Sequence, residues 1–61
     1  MSLKEEILNT IFENGRIRET ENVEAFQSEV TVETQFECSE RGISTEETEE
    51  IIEWCLNHSS L

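Results

Sequence analysis

The sequence contains no proline, no tyrosine and no aspartate, and it has only two glycines, two cysteines, one tryptophan and one histidine. Each shortage excludes something. Without proline, internal repeats or a low-complexity stretch, no linker divides the chain. Sixty-one residues make one domain at most, spanning 1–61. The glycines, Gly15 and Gly42, are isolated and cannot build a phosphate-cradling loop. Cys38 and Cys55 allow one disulfide at most and form no Cys-x-x-Cys pair of the kind a structural zinc site uses. No apolar run approaches the roughly 20 residues that a membrane span needs. The short apolar stretches, broken by Glu and Asn, do not read as a signal peptide. The expectation is a cytoplasmic chain with reduced thiols.

Positive charge is the other scarce commodity. Lys4, Arg16, Arg18 and Arg41 stand against fifteen glutamates, for a formal net charge of −11. Such a balance opposes nucleic acid and anionic membrane as direct partners, because phosphate would repel it. It favours a basic surface on another protein. Solubility alone is the plainer use of the same charge.

What is present begins with two helix signals. Residues 2–14 open with Ser2 and Glu5 in capping-box spacing, with Lys4 and Glu6 in the first turn. Leu3, Ile7, Leu8, Ile11 and Phe12 then fall on one face. Asn14-Gly15 is a suitable stop. Residues 44–58 repeat the pattern: Ser44 and Glu47 form a second capping box, and Glu46, Glu47, Glu49 and Glu50 crowd the first turns. Ile51, Ile52, Cys55 and Leu56 make the apolar stripe, and Trp54 lies off it. Arg41-Gly42 marks the preceding turn.

Between these helices the chain alternates. Phe26, Ser28, Val30, Val32, Thr34, Phe36 and Cys38 occupy one set of positions; Gln27, Glu29, Thr31, Glu33, Gln35 and Glu37 occupy the other. Period two, sustained and rich in Val and Thr, predicts a β-strand over 26–38. A helical template fits Val23, Phe26 and Val30 and then meets Glu33. The available strand partner is Arg16 to Thr20, around Ile17, folding back through Glu21-Asn22 as a hairpin. That partner is short, and an exposed strand edge invites pairing with another chain. The expected fold is therefore α+β, a small αββα unit. Its long strand pairs with a second copy across a two-fold axis, with Phe26, Val30, Val32 and Phe36 on the core and dimer face. A small domain has marginal stability, and oligomerisation would supply the missing staple. A monomeric αββα unit with an open edge is the alternative.

Residues that could carry chemistry are few. Cys55 and His58 are three apart and could share a helix side, but Cys55 falls in an apolar stripe, where a thiol behaves as a small hydrophobe. Cys38 on the apolar strand face earns the same reading. Cys38, Cys55 and His58 supply three metal ligands where a structural zinc wants four. Glu46 with Glu50, and Glu49 with Glu53, read as a solvated helix face rather than acid/base pairs. No catalytic residue, cofactor or metal is assigned, and the chain is read as a binder and not an enzyme.

Its binding residues are expected among Glu29, Glu33, Glu37, Glu46, Glu49, Glu50, Glu53 and Trp54, the tryptophan as an aromatic anchor. Duplex DNA carries a charge per about 1.7 Å, so about eight charges over the ~13 Å that separates successive glutamates of the ladder Glu29, Glu33 and Glu37 on a strand. The strand ladder alone is too sparse to mimic it. Mimicry would need the Glu-rich helix start beside the ladder, or a second copy. In charge and size the chain resembles the small acidic proteins that phages, plasmids and bacteria use to bind and inhibit larger nucleic-acid enzymes. The expected function is a regulator or inhibitor that occupies a basic protein surface, a nucleic-acid-binding site among the candidates. The alternative is a homodimeric interaction or assembly module whose acidity serves solubility.

Overall fold

Ser2 begins the first helix as its sequence signal requires. In the computed structural model, which describes residues 2–13, 17 and 22–59, the Ser2 hydroxyl accepts from Glu5 N at 3.3 Å. Glu5 Oε1 in turn receives the Ser2 backbone N–H at 3.4 Å. Helix α1 runs Leu3–Glu13 and buries Ile7 and Ile11. Asn14-Gly15, the expected stop, lies outside the described residues.

The middle of the chain overturns the expected strand. Val23–Glu40 is a second helix, α2, of 18 residues, and no strand occurs among the described residues. The α+β expectation is thus corrected to an all-helical bundle of three helices, and pairing of a long strand across a dimer falls with it. Asn22, read as part of a hairpin turn, is instead the N-cap of α2: its Oδ1 accepts from Glu24 N at 2.8 Å and Ala25 N at 3.2 Å. The short hairpin strand at 16–20 falls outside the described residues except for Ile17, which is buried in the core.

The reason for the misreading is visible in the spacing. Phe26, Val30, Thr34 and Cys38 recur every four residues, which keeps them on one side of a strand and also near one side of a helix. All four are buried on α2. The interleaved Val32 and Phe36 distinguish the two structures. Residues two apart lie about 160° from each other around a helix, so Val32 and Phe36 leave the core face and are 55% and 59% exposed. Glu33, which broke the helical template in the sequence, is drawn into the buried stripe at 9% exposed. The β-favouring Thr31 is accommodated locally: its Oγ1 donates to Gln27 O at 2.9 Å, one helical turn back.

A four-residue connection leads from α2 to α3. It ends α2 with paired bonds from Ile43 N to Cys38 O (3.0 Å) and from Gly42 N to Ser39 O (3.2 Å), the 6→1 and 5→2 pattern of a Schellman stop. Gly42 takes φ 70°, the left-handed conformation this stop requires. Helix α3 spans Thr45–His58, with the Ser44 hydroxyl accepting from Glu47 N at 3.3 Å. The core joins Ile7 and Ile11 of α1, Ile17, Phe26, Val30 and Cys38 of α2, and Ile51 and Cys55 of α3. Phe12 and Phe26 tie α1 to α2, their rings tilted with centroids 6.2 Å apart.

Candidate interaction surface

Helix α3 carries the densest charge: α2 also holds five glutamates and no lysine or arginine, but spreads them over 18 residues against the 14 of α3. Its sequence, TEETEEIIEWCLNH, contains five glutamates and no lysine or arginine. The buried Ile51 and Cys55 turn one side inward, and Glu46, Glu47, Glu49, Glu50 and Glu53 are all exposed. Glu46, Glu49, Glu50 and Glu53 share an arc of about 100° at 100° per residue. The first turn tolerates acids because the helix dipole favours them there. From Glu46 to Glu53 the axis rises about 10 Å, over which a DNA duplex would show about six charges. Five glutamates on one helix approach that density, which the strand ladder could not.

Trp54 borders this face. It is partly buried against the core and stacks on His58, with ring centroids 4.0 Å apart and planes 18° from parallel. His58 Nδ1 lies 2.9 Å from Trp54 O. The four-residue spacing on a helix was the signal for this contact. Trp54, Glu50, Glu53, Asn57 and Lys4 of α1 line a shallow recess of about 280 Å³. A second recess of about 390 Å³ continues past Lys4 and Glu50 to Ser2, Leu3, Glu47 and Ile51. Both are open surface grooves where α1 meets α3.

The remaining expected site residues part company. Glu29, Glu33 and Glu37 form a helical row on α2, not a strand ladder. Glu29 is half-buried, Glu33 is buried, and Glu37 pairs with Arg41 at 3.7 Å. This row borders the core and is separate from the exposed Glu cluster of α3. The expected core and dimer set divides as well: Phe26 and Val30 are core, and Val32 and Phe36 face outward.

Two free thiols and a hydroxyl meet inside the bundle. Cys38, Cys55 and Thr34 are all 0% exposed. Burial pushes the Cys55 thiol above its ordinary pKa, Cys38 beside it adds to the rise, and the Thr34 hydroxyl acts in the opposite sense. Desolvation outweighs the hydroxyl. Thr34 Oγ1 has no hydrogen-bond partner of good geometry, since a thiol is a weak one. An enclosed thiol with a raised pKa is a poor nucleophile, and Cys55 is one. Among the described residues no group of three His, Cys, Asp or Glu side chains is placed to hold a metal, and no helix is long and apolar enough to cross a membrane.

No family model, no curated protein and no solved structure matches this chain.

Proposed function

We propose that the chain is a non-catalytic, protein-binding regulator or inhibitor that occupies a basic surface on a protein partner, a nucleic-acid-binding groove being the surface its charge density suits best. The observation that carries this reading is the array of five exposed glutamates on α3, unrelieved by any cation of that helix. The Trp54 recess beside it supplies a partly apolar contact at the margin of the charge. Electrostatic steering would speed association and make it weaken with salt. The buried, unpaired thiols suit a reducing cytoplasm, where this reading places the protein.

The test is capture from a lysate of the source organism at low and high salt, using the wild-type chain and a variant carrying Gln at positions 46, 49, 50 and 53. Proteins with basic grooves should bind the wild type, leave at high salt and fail to bind the variant. Equal capture by both baits would remove the Glu array from the mechanism. A second reading is favoured by Val32 and Phe36, two large apolar side chains left in water. It is an interaction or assembly module in which apolar contact dominates and acidity serves solubility. Binding that survives neutralisation of α3 and depends on Phe36 would select it.

A further inference from the structure

The chain has four aromatic residues, and three of them are engaged: Phe12 with Phe26, and Trp54 with His58 and the core. Phe36 is 59% exposed. It is not isolated. Val32, one turn earlier and 55% exposed, lies about 40° from it around α2. Ala25, exposed, lies in line with Val32 two turns further back. Positions 25, 29, 32 and 36 follow one another at intervals of four, three and four, the spacing of a helix–helix seam, with the half-buried Glu29 as its one charged position. The seam is about 16 Å long. Ser28 and Ser39 beside it are small and exposed, so another helix could approach closely.

The flanks of the seam are acidic. Glu40 borders Phe36 on one side, Glu24 stands toward the other, and Glu29 lies within the seam itself. Arg41, the nearest cation in sequence, is exposed and paired with Glu37 at 3.7 Å. This arrangement discriminates between occupants. A second copy would bring its own −11 charge and its own Glu29 into the contact. A basic amphipathic helix would set aliphatic side chains on Val32 and Phe36 and place Lys or Arg against Glu24, Glu29 and Glu40.

We infer that the outer face of α2 is a docking seam for a basic amphipathic helix of a protein partner, with Phe36 and Val32 as its apolar contacts. The inference rests on the reading of the chain as an acidic binder and names where, and with what element, the partner engages. Phe36 is the apolar hot spot of this contact, and the glutamates of α3 add the longer-range attraction for a basic partner.

The experiment uses two synthetic Lys/Leu peptides of about 18 residues, long enough to form a helix on binding. One places Leu at seam spacing; the other has the same composition scrambled so that no apolar face forms. Each is titrated at low salt into the ¹⁵N-labelled wild-type chain, Phe36→Ser and the four-Gln variant of α3, with circular dichroism to confirm that each variant is folded. The seam peptide should shift the amides of Ala25, Glu29, Val32 and Phe36 and should bind Phe36→Ser at least about tenfold more weakly. The scrambled peptide should be weaker by a similar factor. If the seam peptide instead shifts only α3 and binds Phe36→Ser unchanged, the seam falls and the acidic-binder reading stands. If neither peptide binds, both fall. If the wild type sediments as a dimer and Phe36→Ser as a monomer, the occupant is a second copy and the inference is overturned.

Discussion

Thr34 is the residue whose chemistry fits its place least. Its hydroxyl is fully enclosed and without a good partner, a condition that costs about 1–3 kcal/mol relative to a paired group. Valine has nearly the same shape and needs no partner. Thr34→Val should therefore stabilise the protein by about 1 kcal/mol, read as a higher urea midpoint at unchanged slope. A destabilised variant would mean that Cys55 Sγ gives the hydroxyl a better bond than a thiol usually offers. The neighbouring thiol makes a second prediction. Because Cys55 has a raised pKa when folded, the folded state holds its proton at pH values where an unfolded thiol, with a pKa of about 8.5, has lost it. The stability this contributes is fully present below that value and is lost as pH rises toward the folded pKa. Urea midpoints should fall between pH 8 and pH 10, and a Cys55→Ala variant should show a shallower fall. Thiol reagents at neutral pH should label Cys55 only after unfolding.

At the level of elements, each helix begins by a local cap, and α2 also ends by one. Removing the Asn22 cap by Asn22→Ala leaves the amides of Glu24 and Ala25 without their acceptor and should cost about 1 kcal/mol. Gly42→Ala tests the other end of α2. A Cβ at Gly42 would meet nothing within 4 Å, so its cost is purely the left-handed backbone, about 1 kcal/mol. Each should lower the melting temperature by about 4–8 °C in a domain of this size. Much of this was legible in advance. Ser2-Glu5 and Ser44-Glu47 announced α1 and α3, because a cap acts within three residues and needs no tertiary partner. Helix α2 was not legible. Its apolar residues at 26, 30, 34 and 38 satisfy both periods, and its Val and Thr content favours a strand only weakly once context intervenes. Asn22 was the available signal for α2 and was absorbed into a hairpin turn.

For the whole molecule, charge acts on stability and on binding in opposite directions. The bundle measures 30 × 19 × 18 Å. At about 0.01 M salt the Debye length is ~30 Å, so charges across the entire protein repel one another; at 0.15 M it is ~8 Å. The melting temperature should accordingly rise by a few degrees between these conditions, while affinity for a basic partner falls. A melting temperature independent of salt would show that the −11 charge is dispersed well enough to exert no strain on the fold. The radius of gyration, 10.7 Å, matches the roughly 10.5 Å of a compact chain of this length. The bundle encloses its core within one copy.

The sequence by itself determined the terminal helices, the glutamate cluster at the start of α3 and the placement of Cys55 in an apolar stripe. These follow from local capping and from the period of an amphipathic helix. Only the tertiary structure decided the middle of the chain. A lone strand leaves its backbone groups seeking a neighbour, whereas a helix pairs them internally. With α1 and α3 each presenting an apolar stripe, a third helix closes the core. That choice buried Phe26 and Val30, turned Val32 and Phe36 outward, and moved Glu29, Glu33 and Glu37 from a solvent ladder to the margin of the core.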